Sequence, residues 1–394
     1  MLLLHLIFLS IYIIIVVVCM VDVLMENRQP VKTMAWLMVL TFAPILGMVL
    51  YFFFGQNTRK KRLISQRSID QLDKHSMLGF VEQRHLHIPE AYRTLIQLFT
   101  NQSLALPFKD NEVDIYISGY DFFPAFTSKV NYRNHRKLCV IDGTTAFIGG
   151  MNIARRYVQG RRNRPWRDTH LRIRGGAVYA VQRAFLLDWY FVDRTLITHR
   201  KYYPPITTAQ NNCLAQVVTS SPIALWPDIM QGYVRILLEA RHYVYIETPY
   251  FLPTEPILFA MRTAAIAGVD IKLMVPRKSD AKLVEWASTS YLREALEAGI
   301  TICLYEDGFN HSKLLVCDDM LCTCGSTNVD FRSFENNFES NIFFYDRDMA
   351  LRFKQIFITD LEHCTLIEKV ADLTHRNFGQ LLWESVVRLL SPLL

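Results

Sequence analysis

The chain of 394 residues has 51% hydrophobic and 20% charged residues, with a formal net charge of +6. This composition excludes an intrinsically disordered or low-complexity protein, which would need few apolar residues and a high net charge. At about 150 residues per domain, the length allows two domains or one large two-lobed domain behind an apolar N-terminus.

The N-terminus is the most apolar part of the chain. Leu2–Met20 and Met34–Phe54 contain no aspartate, glutamate, lysine or arginine, and each is about as long as the roughly 20 residues that cross a bilayer core. A cleaved signal peptide is the alternative for the first run, but that run lacks a basic start and a second apolar run follows at once. The basic cluster Arg59–Arg62 favours a cytoplasmic position for the chain beyond it. The pattern predicts a two-helix transmembrane hairpin over residues 1–55.

The middle of the chain predicts a linker and then two α/β halves. Residues 56–112 are interpreted as a cytoplasmic linker, residues 113–205 as a first half and residues 206–375 as a second half. The second half alternates strands with helices, which indicates a sheet covered by helices. Its predicted strands are Tyr243–Glu247, Ile271–Val275 and Ile300–Tyr305, and its predicted helices are Tyr233–Ala240, Pro256–Ala267 and Ala281–Ala298.

Residues 376–394 predict a C-terminal amphipathic helix. Leucines and valines recur there at helical spacing, from Leu381 to Leu390. The apolar side of such a helix either packs on the protein core or lies on a bilayer surface. The sequence leaves both alternatives open.

The eight cysteines do not form a CxxC pair. Cys139 and Cys317 lie inside apolar runs and are interpreted as small core residues. Cys322 and Cys324 are two apart in a predicted strand. The pattern favours a reducing compartment and predicts neither a disulfide framework nor a metal site.

Two segments of the chain repeat one pattern. His135 is followed by a lysine after 2 residues, an aspartate after 7 and an asparagine after 17, and His311 is followed by the same residue types at the same distances. The repeated residues are Lys137, Asp142 and Asn152 in the first copy, and Lys313, Asp318 and Asn328 in the second. Four matched residues at three equal offsets in two copies indicate an internal duplication.

Each copy predicts a β-hairpin that brings reactive groups together. The histidine and the lysine are two apart, so they project from one face of an extended segment, and the asparagine returns on the next strand. A neutral imidazole can attack phosphorus and form a covalent intermediate. A second imidazole can protonate the leaving oxygen and later activate the incoming alcohol, while lysines stabilise the charge on the phosphoryl oxygens. This set needs no metal.

The pair of motifs resembles the phospholipase D superfamily, which is marked by two copies of H-x-K-x4-D followed by G-[GS]-x-N. The flanking stretches Asn131–Lys137, Trp166–Ile173 and Gly325–Glu339 are similar to those of bacterial cardiolipin synthases. The resemblance implies an α/β fold with two phospholipase D-like lobes, whose mixed sheets are covered by helices. It also implies a multi-pass protein of the bacterial inner membrane with a cytoplasmic catalytic domain.

The resemblance assigns roles to particular residues. His135 and His311 would be the nucleophile and the acid/base in an order left open, and Lys137 and Lys313 would bind phosphoryl oxygens. Further donors to the substrate would be Asn152, Asn328 and Ser326. Glu339 and Asp168 would orient the histidines. Asp142 and Asp318 complete the catalytic motif, although their position after a strand favours a role in the turn.

The resemblance further implies the reaction and its partners. Two molecules of phosphatidylglycerol would give cardiolipin and glycerol, with phosphatidylglycerol and other anionic phospholipids as partners and with no nucleic acid, metal or cofactor. A hydrolase, a synthase that uses phosphatidylethanolamine, and an inactive lipid- or partner-binding remnant remain alternatives. The remnant is considered because 94 residues separate Val217 from His311, but only 20 separate Ile115 from His135. The first half is therefore predicted to lack a segment, which would leave a sheet edge exposed.

Overall fold

A computed structural model describes residues 2–25, 30–51, 86, 88–118, 133–160, 165–193, 195, 197–205, 213–373 and 377–392. The described helices before residue 52 belong to one compact unit, and the described residues from 86 onward form another. The basic cluster Arg59–Arg62 lies outside the described residues.

The described residues of the N-terminal unit form three helices, α1 (Leu2–Met25), α2 (Pro30–Phe42) and α3 (Pro44–Leu50). The second apolar run is divided at Ala43 because a proline ring disfavours a helical conformation at the preceding residue, while proline itself is well placed at the start of a new helix. In the part of the chain that the structure describes, no helix is found with the length and apolarity required to cross a membrane. The transmembrane hairpin therefore stays a prediction.

The second unit is built on one large sheet. Its strands are β1 (Pro107–Ser118), β2 (Leu138–Ile141), β3 (Thr145–Gly149), β4 (Trp166–Arg174), β5 (Cys213–Ser220), β6 (Tyr243–Glu247), β7 (Phe251–Leu252), β8 (Asp270–Pro276), β9 (Thr301–Tyr305), β10 (Phe309–Asn310), β11 (Leu314–Cys317), β12 (Leu321–Gly325), β13 (Val329–Asp330), β14 (Glu339–Phe344) and β15 (Cys364–Ile367). The strand order is β15-β9-β8-β6-β11-β12-β14-β5-β1-β4-β3-β2, with β10 paired to β4, while β7 and β13 pair separately. The two halves are joined edge to edge where β5 pairs with β1, so the predicted two lobes share one sheet.

The helices of this unit are α4 (Glu90–Ser103), α5 (Arg156–Gln159), α6 (Ala177–Asp193), α7 (Asp228–Glu239), α8 (Glu255–Ile266), α9 (Lys282–Glu297), α10 (Arg347–Leu361) and α11 (Phe378–Arg388). Apolar residues of α4, α7, α8 and α9 form one core cluster with the sheet. Apolar residues of α6 and α10 form a second cluster. The mixed, helix-covered sheet confirms the predicted fold class.

The predicted linker over residues 56–112 is wrong at its C-terminal end. Helix α4 begins at Glu90 and strand β1 begins at Pro107. Leu95, Ile96 and Phe99 of α4 are buried in the core, since their spacing places them on one side of the helix.

The repeat is visible in the order of the strands. In the second half, β5, β11, β12 and β14 take the places that β1, β2, β3 and β4 take in the first half. Strand β11 pairs on its other side with β6, beyond which lie β8, β9 and β15. Among the described residues, β2 has no such neighbour and ends the sheet. The shortening of the first half thus leaves the predicted open edge at β2.

The open edge explains one incorrect interpretation. Cys317 is buried, as predicted, but Cys139 is exposed on β2, and the side chain of Ile141 beside it is 48% exposed. Cys317 lies on a face of β11 that a core cluster covers, whereas Cys139 and Ile141 share a face of β2 that is exposed, and it is Leu138 and Val140 that pack on a core cluster. The segment that the first half lacks would include the elements that cover this face in the second half.

We expect Cys139 to react first when the native protein is treated with a maleimide reagent, because thiol reactivity requires access. Mass spectrometry of timed digests measures the order of modification. The buried Cys322 and Cys324 should react only after unfolding. Equal protection of Cys139 and Cys324 would contradict an open β2 edge.

Candidate active site

The segment before each motif histidine pairs with a strand from the opposite half of the unit. Asn134 bridges Phe338 in parallel orientation, and the backbone N–H of His135 donates to the carbonyl of Phe338 at 2.9 Å. In the second motif, β10 runs parallel to the start of β4, and the N–H of His311 donates to the carbonyl of Arg167 at 2.6 Å. Each half therefore positions the histidine of the other.

The same crossing brings a buried carboxylate to each histidine. Nδ1 of His135 lies 2.9 Å from Oε1 of Glu339, and Nδ1 of His311 lies 2.7 Å from Oδ2 of Asp168. Both carboxylates are fully buried. A carboxylate that accepts the proton on Nδ1 fixes the tautomer and leaves Nε2 of each ring for chemistry. Asp168 and Glu339 thus each lie beside one motif histidine, and their role in a reaction stays a prediction.

Each carboxylate is held by further donors. Ser326 Oγ donates to Glu339 at 2.5 Å, and Asn337 Nδ2 donates to it at 3.2 Å. Asp168 accepts the backbone N–H of Thr169 at 2.7 Å. Ser326 was predicted to bind substrate, but here its hydroxyl supports Glu339, so it acts on His135 through that carboxylate.

Tyr157 is a member of the site that the sequence analysis missed. Its hydroxyl donates to Asp168 Oδ2 at 2.9 Å and lies 2.8 Å from Nδ1 of His311. Tyr157 follows Asn152 by five residues, whereas the second motif has Ser333 at that offset. Because the two copies differ at this position, the repeat does not indicate a role for Tyr157.

The two predicted asparagine donors differ in their contacts. Asn152 Nδ2 is 3.5 Å from the hydroxyl of Tyr157, and Asn328 Nδ2 donates to Asp330 at 2.9 Å. Asn328 is buried, while Asn152 is partly exposed. Their predicted contact with substrate remains a prediction.

The two lysines reach back towards their own histidines. Lys137 Nζ donates to the carbonyl of His135 at 2.5 Å. Lys313 donates to the carbonyl of His311 and lies 3.7 Å from Asp168 Oδ2. Burial lowers the pKa of Lys137 to about 7 and that of Lys313 to about 8, because an ammonium loses hydration when it is surrounded by protein.

The titration of the histidines indicates one shared site. Burial, together with the charges of Lys313 and Lys137, lowers the pKa of His311 to about 3, although Asp168 opposes this shift. Burial also lowers the pKa of His135, on which the charge of Lys313 acts as well. Each histidine thus senses the lysine of the other motif. Both imidazoles are neutral without substrate, as a nucleophile must be.

A buried Asp168 stays ionised in this site. Although burial opposes ionisation, the charge of Lys313 and a hydrogen bond from His311 hold the pKa of Asp168 at about 2. The carboxylate is therefore able to stabilise a positive charge that develops on His311.

The glycines of the motifs leave room for the polar groups. A Cβ atom on Gly150 would lie 2.1 Å from Oδ1 of Asp168, and one on Gly325 would lie 2.1 Å from Oδ1 of Asn341. Any side chain at Gly150 would displace the carboxylate that holds His311.

The structure does not support Asp142 and Asp318 as catalytic residues. Both have φ of 52° and lie at the turns that follow β2 and β11. The carboxylate of Asp318 accepts the backbone N–H groups of Arg241, His242 and Tyr243 at 2.7 to 2.9 Å. An aspartate suits such a turn because it tolerates the left-handed conformation. A full strand separates each aspartate from its histidine.

Within the described ranges, no group of three or more histidine, cysteine, aspartate or glutamate side chains is placed to hold a metal ion. The arrangement contains two imidazoles with oriented rings, two lysines and two buried carboxylates. Such a set suits nucleophilic attack on a phosphodiester with acid/base assistance.

The lysine pKa values predict an alkaline limb in the pH profile. As the pH rises through 7 to 8, Lys137 and Lys313 lose the charge that binds an anion, so kcat/KM for a phosphodiester should fall. A bound phosphate raises the pKa of both lysines, so the limb in kcat should lie at higher pH than the limb in kcat/KM. Steady-state rates from pH 6 to 10 measure both profiles. A kcat/KM that stays constant up to pH 9 would contradict this assignment.

Comparison with known proteins agrees with the geometry. A family model described as "Cardiolipin synthase, PLD-like domain" matches residues 233–361, and one described as "Phospholipase_D-nuclease N-terminal" matches residues 14–56. A cardiolipin synthase of Clostridium perfringens is 32% identical over 455 residues, which cover 94% of this chain and 95% of that protein. A cardiolipin synthase of Listeria innocua is 31% identical over 468 residues, with 95% and 96% covered.

The aligned lengths and a solved structure add two points. Because 455 and 468 aligned positions exceed the 394 residues of this chain, the relatives contain residues that have no counterpart here. A phosphatidylserine synthase of Haemophilus influenzae has a TM-score of 0.52 at 16% identity, covering 68% of this chain and 72% of that protein. This likeness shows the fold.

Proposed function

The chain belongs to the cardiolipin synthases with phospholipase D-like domains, and we propose that it transfers a phosphatidyl group from one phosphatidylglycerol to another. The products are cardiolipin and glycerol. The observation that supports this proposal best is the crossed pairing of the two motifs, in which His135 is held by Glu339 and His311 by Asp168.

In the first step, Nε2 of one histidine attacks the phosphorus of a phosphatidylglycerol. A P–N bond forms, and the P–O bond to the head-group glycerol breaks. The other histidine, protonated after the anionic substrate has bound, gives its proton to the departing glycerol oxygen. Lys137 and Lys313 stabilise the charge on the non-bridging oxygens. The result is a phosphatidyl-histidine and free glycerol.

In the second step, the head-group hydroxyl of another phosphatidylglycerol attacks the same phosphorus. The histidine that served as an acid now takes the proton of that hydroxyl. The new P–O bond forms as the P–N bond breaks, which releases cardiolipin and restores both histidines. The carboxylate behind each ring stabilises the positive charge that the ring carries in either step.

The shortened first half is compatible with this chemistry. The contacts that place the first motif come from residues outside the missing segment: Arg136 donates to the carbonyl of Glu339 at 3.0 Å and to Asp188 at 2.6 Å. The missing strands would lie beyond β2, on the side away from β3. Their absence supports a more open pocket around His135, whose side chain is 26% exposed against 9% for His311.

The lipid substrates favour a location at a membrane. We place the enzyme at the bacterial inner membrane as a multi-pass protein, held by its apolar N-terminal runs, with its catalytic unit on the cytoplasmic side. Phosphatidylglycerol as both donor and acceptor also belongs to the proposal.

The test is a product analysis of the purified full chain in vesicles of phosphatidylglycerol. Cardiolipin and glycerol should appear in equal amounts, as measured by mass spectrometry. Vesicles that also contain phosphatidylethanolamine separate the alternatives, since released ethanolamine would indicate a different donor and phosphatidic acid would indicate hydrolysis. No turnover by folded, reconstituted protein would overturn the proposal and favour an inactive remnant.

A further inference from the structure

The C-terminal helix α11 turns its apolar residues away from the protein. Exposed side chains follow one side of the helix and its end: Phe378, Leu382, Val386 and Leu389, of which Phe378 is 80% and Leu389 is 78% exposed. Glu384, which is charged, is instead buried. This polarity is the reverse of that of a helix which covers a core. We call the four exposed residues the apolar face of α11.

Polar contacts hold α11 in this orientation. Arg388 donates to Glu294 of α9 at 2.8 Å, and its guanidinium lies 4.1 Å from the ring centre of Tyr291. Arg293 of α9 lies 3.6 Å from Glu384. Of the apolar side chains, Val387 reaches the core cluster. These ion pairs lie on the opposite side of α11, so the apolar face points away from α9.

The apolar face is connected to the active site through the start of α9. The ring of Tyr250 lies 6.4 Å from that of His311, and its hydroxyl donates to Asp280 at 3.0 Å. Helix α9 begins two residues later, and Trp286 in its second turn lies 5.9 Å from Trp383 of α11. Tyr250 beside His311 and Trp383 of α11 are therefore both in contact with residues at the start of α9 or just before it.

The stretch 277–285 at the start of α9 exposes three basic residues, Arg277, Lys278 and Lys282, and two acidic residues, Asp280 and Glu285. Lys278 and Lys282 are exposed in the loop before α9 and at its first residue. Leu283 beside them is 43% exposed. Basic side chains and a tryptophan next to an apolar helix face suit the headgroup region of an anionic bilayer. Binding of a protein partner to the apolar face would not require these basic side chains.

We infer that the apolar face of α11, together with Lys278 and Lys282, is a surface that docks the catalytic unit on an anionic phospholipid bilayer. The face enters the headgroup region, and the lysines bind lipid phosphates. Docking brings the His311 side of the active site to the lipid surface. The inference rests on the proposed function only in that the substrates are bilayer lipids, because binding of the surface needs no turnover.

The test is photocrosslinking of the full chain in vesicles. The photoreactive residue p-benzoylphenylalanine replaces Leu382 or Phe378, and in a matched control it replaces Leu351. Leu351 is also an exposed leucine, at 39%, but it belongs to α10, which packs with the other core cluster. Vesicles contain phosphatidylcholine with or without phosphatidylglycerol, and mass spectrometry identifies the adducts.

Lipid adducts at positions 382 and 378 should exceed those at 351 at least five-fold. The excess should fall severalfold in vesicles without phosphatidylglycerol and in the variant Lys278→Glu/Lys282→Glu. Equal yields at the three positions, or adducts to a second protein chain in place of lipid, would overturn the inference. Cardiolipin formation is assayed on the same samples, so failure of docking and failure of the proposed reaction are distinguished.

Discussion

Replacing His135 or His311 by alanine is expected to lower kcat for cardiolipin formation by at least about 10⁴-fold, because one ring forms the covalent intermediate and the other moves the proton. Since the two rings act as a unit, the double variant should be no slower than the slower single variant. Rates are measured by mass spectrometry with reconstituted protein in phosphatidylglycerol vesicles.

The matched control for these variants is His363→Ala. Nδ1 of His363 pairs with Asp307 at 2.6 Å at a partly exposed position outside the motifs. This change should leave kcat within about two-fold, as is usual for surface positions. If either motif variant kept more than a tenth of the wild-type rate, its histidine would not have the proposed role.

The second large effect is expected from Asp168→Asn and Glu339→Gln. Each substitution keeps the size of the side chain but removes the charge behind the histidine of the opposite half, and we expect kcat to fall by about 10²- to 10⁴-fold. Asp168→Asn also removes the negative charge next to Lys313, so the pKa of Lys313 falls and the alkaline limb moves to lower pH. Steady-state kinetics against pH measure both effects.

Asp318→Asn is the matched control for Asp168→Asn. Its carboxylate binds backbone N–H groups at the turn after β11, so the melting temperature should fall while kcat stays within about three-fold. The reverse result, with a normal rate for Asp168→Asn and a large loss for Asp318→Asn, would contradict the assignment of both aspartates.

Most of the candidate site could be predicted from the internal repeat. The paired offsets identified the histidines, lysines and asparagines, and the strand predicted at Tyr243–Glu247 has the same bounds in the structure. The local pattern suffices for this element because a short run of aromatic and β-branched residues is itself a strand signal, and the strand is buried on both faces of the sheet. The open edge at β2 followed from a count of residues between matched positions.

Other features depend on contacts that are distant in the chain. The pairing of Asn134 with Phe338 and of β10 with β4 joins segments that no local pattern relates. The role of Tyr157 depends on its distance to Asp168, and the repeat does not show it because the second copy differs. The motif identifies Ser326 without indicating that its hydroxyl contacts Glu339.

The orientation of α11 also could not be predicted from the sequence. Its spacing of apolar residues fits a core helix and a bilayer helix equally, and the choice depends on which side meets α9. The contacts of Arg388 and Glu384 with α9 turn the apolar side outward. The orientation of the helix therefore depends on residues about 90 positions earlier in the chain. Helical periodicity carries no information about these contacts.

The central claim is that the shortened first half still forms a working active site together with the second half. The most direct measurement is the lipid content of a bacterial host that lacks cardiolipin, after expression of the wild-type chain or of the His135→Ala/His311→Ala variant. We predict cardiolipin with the wild-type chain and none with the variant at equal amounts of membrane-bound protein. No cardiolipin in either strain, with the wild-type chain well expressed, would contradict the claim.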